Sequence, residues 1–119
     1  MKREIKFRVW DKHRKAFQNE SLNDLLFYSN EDLHFPDGFE PPQQFSGLKD
    51  KNGKEIYEGD IVKFGGEAIV VRSRDVGEVY FEDGRFRVRA GDSIRDLCNY
   101  FNMHCTIIGN IYENSELLR

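Results

Sequence analysis

A chain of 119 residues that is 39% hydrophobic, with ten Phe, has apolar bulk for one core and too little length for a second independent domain. Eighteen Lys and Arg against twenty-one Asp and Glu leave a formal charge of -3, so no net field draws the protein to nucleic acid or to an anionic membrane. No apolar run approaches the roughly 20 residues of a membrane span. Met1-Lys2-Arg3-Glu4 leads into an alternating segment rather than a signal-peptide core, so the expected location is the cytoplasm.

In chain order, Ile5, Phe7 and Val9 alternate with Lys6, Arg8 and Trp10, the period of a half-buried strand. Trp10 lies on the face opposite the apolar set. Either this strand is buried on both sides or the indole anchors an oligomer interface; packing within its own domain is the favoured expectation. Asp11 to Lys15 reads as a charged turn, with Ala16-Phe17-Gln18 returning as a short partner strand. Ser21 can cap a helix over residues 23–28, with Leu22, Leu25 and Leu26 on one face, and an irregular strand is the alternative. Residues 30–42 carry Pro36, Gly38, Pro41 and Pro42 and read as a loop. It separates an N-terminal strand and helix section, 1–42, from a compact β section, 43–119, within one domain.

The run from Phe45 to Phe64 is the most legible part. Lys51-Asn52-Gly53 is a three-residue loop whose glycine takes the left-handed region, a type I turn with a bulge. That register sets Asp50 against Lys54, Lys49 against Glu55 and Leu48 against Ile56. A two-residue Asn-Gly turn would instead set Lys51 against Lys54 and Asp50 against Glu55, which is unfavourable. Glu58-Gly59 breaks the strand and Asp60-Ile61-Val62-Lys63-Phe64 restarts it before a turn at Gly65-Gly66.

Asp83-Gly84 is a two-residue turn between residues 77–82 and 85–89. A type I' loop pairs Phe81 with Phe86 and Val79 with Val88 on the core side. The other side carries Glu82 with Arg85, Tyr80 with Arg87 and Glu78 with Arg89. Arg85, Arg87 and Arg89, with Arg72, Arg74 and Tyr80, form the best nucleic-acid candidate in the chain. Glutamates oppose two of those three arginines, so solvated cross-strand ion pairs are the favoured reading of the stripe. Arg87, facing Tyr80, is the position where a charge reversal would weaken nucleic-acid binding most.

Asp92 or Ser93 can cap a helix over residues 94–100, with Ile94, Leu97 and Phe101 on one side. Residues 106–112 form an apolar, β-branched strand interrupted by Gly109, as expected where a strand bends or another backbone comes close. Leu117 and Leu118 in a terminal helical turn offer a docking point for another subunit.

Chemistry-bearing constellations are sparse. Cys98, His104 and Cys105 fall within eight residues, but there is no CxxC pair and adjacent residues of a strand face opposite ways, so the cysteines read as reduced and structural and no metal is expected. The carboxylates Asp11, Glu58, Asp60, Asp92 and Asp96 have no His, Ser or Cys placed beside them by spacing and read as turn and cap residues. GxxxxGK[ST], HExxH and GxSxG are all missing. No cofactor is expected.

Three segments carry a family resemblance: Arg3 to Asp11 (REIKFRVWD), Gln44 to Val62 (QFSGLKDKNGKEIYEGDIV) and Ile108 to Asn114 (IGNIYEN). Together and in this order they resemble the YopX family of phage and prophage proteins, over nearly the whole chain, with Phe17 to Pro42 matching least. The resemblance implies a small β-rich protein encoded by a bacteriophage or prophage, acting in the bacterial cytoplasm as a homo-oligomer. It carries no catalytic or ligand motif onto these positions.

The expected fold is mainly β, a small, partly open barrel of antiparallel hairpins with one or two short helices. The favoured function is a non-catalytic accessory module that binds a host or phage protein. The alternative is a nucleic-acid-binding small barrel; a small enzyme ranks third.

Overall fold

A computed structural model describes residues 5–20, 38–64, 75–97 and 105–118. The strands among them are β1 (Phe7–Asp11), β2 (Ala16–Glu20), β3 (Gln43–Lys49), β4 (Glu55–Tyr57), β5 (Asp60–Phe64), β6 (Val76–Glu82), β7 (Arg85–Ala90), β8 (Ser93–Asp96) and β9 (Cys105–Asn110). A 3-10 turn, Ser115–Leu118, follows. The fold is mainly β, with a curled half-barrel sheet and a second sheet. The chain divides between Phe45 and Ser46 into two compact units.

In the first unit β1 pairs antiparallel with β2 along its whole length and with the start of β3 through Phe7 and Arg8. Flanked on both edges, β1 buries both faces: Arg8, Val9, Trp10 and Asp11 are all buried. Trp10 meets its cross-strand partner Phe17 edge to face, ring centroids 4.8 Å apart. Arg8 is accommodated because Nε donates to Gln43 Oε1 at 2.9 Å and the guanidinium lies 3.8 Å from the centre of the Phe17 ring. Asp11 shapes the turn that follows. Its Oδ1 accepts the amides of His13 and Arg14 at 2.9 and 3.2 Å, and its Oδ2 accepts from Gln18 Nε2 at 3.3 Å.

In the second unit β5 to β9 form an antiparallel sheet in the order β8-β7-β6-β5-β9. The β3–β4 hairpin has the bulged three-residue turn: Gly53 lies at φ 82°, Asp50 donates its amide to Lys54 O at 2.8 Å, and Gly53 donates to Asp50 O at 3.0 Å. The β6–β7 turn has Asp83 at φ 55° and Gly84 at φ 80°, the two positive values of a type I' loop, and all five expected cross-strand pairs are present. Gly77 lets β6 approach β7 closely, since a β-carbon there would fall 2.6 Å from the carbonyl oxygen of Arg89. Ile56, Val62, Val79, Val88 and Cys105, each at most 1% exposed, form the centre of the core, with Phe64 and Phe86 around them.

Two expectations are corrected. The helix over residues 94–100 is replaced, as far as Asp96, by the strand β8. Gly91 at φ 59° and Asp92 make a two-residue link between the paired residues Ala90 and Ser93, and β8 then takes its backbone hydrogen bonds from β7. Phe81 contacts Phe86, centroids 4.9 Å apart, but at the hairpin tip it remains 45% exposed instead of joining the core. The helix expected over residues 23–28 lies outside the described residues. Among the described residues no helix is long and apolar enough to cross a membrane.

Candidate functional site

The alternation of β7 puts Arg85, Arg87 and Arg89 on one face of the second unit's sheet, between β6 and β8. From β6, Glu82, Tyr80 and Glu78 stand opposite them in that order. From β8, Asp96 stands opposite Arg87 and Ile94 opposite Arg89. Asp96 takes two arginines at once: its Oδ2 lies 3.1 Å from an Arg85 guanidinium nitrogen and its Oδ1 3.5 Å from Arg87 Nε. The first contact is a hydrogen bond; the second is an ion-pair approach without hydrogen-bond alignment, and Arg87 Nε is itself buried.

Arg87 was expected to face Tyr80 and no carboxylate. The Tyr80 pairing is present, and the third strand adds Asp96 from the other side. Arg89 stacks over the Tyr80 ring at 4.6 Å, with Glu78 across from it. Burial raises the pKa of the Glu78 carboxyl above 4.5, opposed by the nearby Arg89 charge. Every arginine of the stripe thus has a carboxylate from a neighbouring strand opposite it. Arg72 and Arg74 lie outside the described residues.

Where this face meets the 3-10 turn, a cavity of about 230 Å³ is lined by Val76, Glu78, Arg89, Gly91 and Leu118. Among the described residues its lining offers one carboxyl, one guanidinium and an apolar wall, and no nucleophile. Leu117 and Leu118 are 39% and 38% exposed. Trp10, the other residue considered for an interface, is packed against Phe17 in the first unit and only 7% exposed, so its indole is not a surface anchor. Cys105 is fully buried, and burial, with Asp50 adding to it, pushes its thiol up to about 11, so it stays protonated at neutral pH. Among the described residues no group of three His, Cys, Asp or Glu side chains is gathered as for a metal ion.

Asp96 is the member of this site that sequence reasoning missed. Taking Gly91-Asp92 as a hairpin link rather than Asp92 as a helix cap would have placed it beside Arg87.

A small antiparallel β protein with an internally neutralised charged face is what these residues build. The chain belongs to the YopX protein family, which it matches over residues 6–119. Among solved structures it is similar to protein EF1440 from Enterococcus faecalis, with 26% identity and a TM-score of 0.68 over 98% of this chain and 99% of that one. No curated protein matches it.

Proposed function

We propose that this chain is a non-catalytic binding module of a bacteriophage or prophage, working in the host cytoplasm as a homo-oligomer through contacts with a host or phage protein. The observation that carries this reading is the charge pairing on the β6–β7–β8 face. Asp96 engages Arg85 and Arg87, and Glu78 stands against Arg89, so the stripe offers little uncompensated charge to a phosphate backbone. Exposed Phe81, Ile94, Leu117 and Leu118 on the same unit favour protein contacts. The balanced total charge points the same way.

The test is affinity capture of the tagged chain from its bacterial host at low salt, divided into nuclease-treated and untreated halves. A stoichiometric protein that survives nuclease is the expected result. Nucleic acid recovered only from the untreated half, and lost as salt rises, would promote the nucleic-acid reading over this one.

A further inference from the structure

We propose that β8 is a docking edge for an extended, acidic segment of a protein partner. This rests on the binding-module reading and names its surface. β8 ends the five-stranded sheet, and all four of its residues are exposed. Leu97 donates its amide to Phe86 O at 2.9 Å, which fixes the alternation along the strand. Ser93 and Arg95 turn their backbone groups to β7, while Ile94 and Asp96 turn theirs outward. Among the described residues no strand takes that outer edge.

The opposite edge differs. There Lys51 donates its amide to Cys105 O at 3.0 Å and Asp50 Oδ2 accepts the Ile107 amide at 3.0 Å, so the β3–β4 turn occupies the outward groups of β9. An open row of donors and acceptors is a template for an added strand, and natural edges are commonly blunted by shortness, charged side chains, Pro or a bulge. β8 is short and carries Arg95 and Asp96, but it has no Pro or Lys and pairs with β7 in unbroken register; it presents Ile94, 54% exposed.

Charge selects the occupant. Asp96 is already engaged by Arg85 and Arg87. Arg95 is exposed and lies 5.5 Å from the centre of the Phe64 ring, and among the described residues no carboxylate pairs with it. A strand laid on β8 is therefore matched best by Asp or Glu opposite Arg95 and an apolar side chain opposite Ile94. A second copy fits poorly. Two β8 edges related by a twofold axis normal to the sheet keep each side chain on its own face, so only residues of like parity meet. With Ile94 on the axis, Asp92 faces Asp96 across the junction; with Arg95 on the axis, the two arginines face each other.

The experiment selects a displayed library of random dodecapeptides on the full-length chain and on two variants, Arg95→Glu and Ile94→Pro. Proline at 94 removes an outward N–H and leaves the donors that face β7 in place. The wild type should enrich peptides with an acidic residue between alternating apolar ones, and Arg95→Glu should enrich basic ones instead. On Ile94→Pro, recovery of the wild-type winners should fall about tenfold, the equivalent of one hydrogen bond. No enrichment on the wild type, or the same peptides on all three proteins, overturns the proposal. So does a dimer in light scattering that Ile94→Pro dissociates, which would give the edge to a second copy. A nuclease-resistant host protein held equally by the wild type and by Ile94→Pro would leave the binding-module reading standing and remove β8 from it.

Discussion

Asp50, in the β3–β4 turn, and Ile107, in β9, are joined by a hydrogen bond in which Asp50 Oδ2 accepts the Ile107 amide at 3.0 Å. The other carboxylate oxygen accepts the amides of Asn52 and Lys54, both at 2.9 Å. One side chain thus shapes a turn and fastens it to the sheet edge.

Removing it should cost more than a turn residue usually does. Asp50→Ala leaves three backbone donors without their acceptor and is expected to lower stability by about 3 kcal/mol, with Asp50→Asn losing roughly half as much. Urea unfolding monitored by circular dichroism measures both. A loss below about 1 kcal/mol for the alanine variant would mean that water replaces the carboxylate at little cost.

Gly77 is a packing requirement, since its neighbour across the gap is backbone. An alanine methyl would meet Arg89 O at 2.6 Å and Val88 Cγ1 at 2.7 Å, and the carbonyl cannot swing aside without breaking the β6–β7 ladder. Gly77→Ala should destabilise by about 2–3 kcal/mol. A thermal midpoint unchanged from the wild type would contradict this.

The Cys105 thiol titrates near 9.0 when unfolded and at about 11 when folded. Between those values the native state holds a proton that the unfolded state has released, so this residue's contribution is whole below pH 9 and is lost as pH rises through 11. The stability advantage of the wild type over Cys105→Ala should therefore narrow by about 2–3 kcal/mol across that window. Parallel urea titrations from pH 8 to 11 would show a constant difference if the thiol were not responsible.

Glu78 gives a second pH signature at the acid end. Burial lifts its folded pKa above 4.5, so the native state holds the proton more tightly and stability falls as pH rises from 4.5 through the folded value. Glu78→Gln, which never ionises, should gain stability relative to the wild type at pH 7 compared with pH 4. An advantage that shrinks toward neutral pH would show that the Arg89 charge outweighs the burial cost.

Asp96 controls the charge of the arginine stripe. Asp96→Asn should release Arg85 and Arg87 and raise the retention of single-stranded DNA at low salt above that of the wild type, with a steeper salt dependence. Equal retention by both proteins would show that Asp96 does not mask the stripe.

The hairpins were legible because turn chemistry and cross-strand charge agreed. Asn52-Gly53 with Asp50 and Lys54, and Asp83-Gly84 with the Glu-Arg pairs, each selected one register, and those turns are present. β8 was not legible because two local cues imitate a helix: Asp92-Ser93 resembles a cap, and Ile94 and Leu97 are three apart. Their burial gives a different account, for Ile94 is 54% exposed and Leu97 8%, as on opposite faces of a strand. Losing β8 from the sheet also removed Asp96 from the arginines, so the face read as less neutral than it is. The Asp50–Ile107 bond was beyond reach for another reason: nothing in the spacing of a turn aspartate says which distant amide its second oxygen will meet.

The Asp11 turn shows where this chain can be rewritten. Its shape is encoded by the carboxylate before it, through the amides of His13 and Arg14, and by Lys15 at φ 53°; Lys12 Nζ also reaches Glu40 at 3.3 Å and Arg14 Nε lies 3.7 Å from Asp11 Oδ2, which leaves Lys15 as the exposed side chain that the loop does without. Glycine at 15 would relieve the left-handed backbone there by up to about 1 kcal/mol. A fluorophore or short epitope placed at position 15 would report on the protein in cells with the β1–β2 hairpin intact, provided that Asp11 is kept.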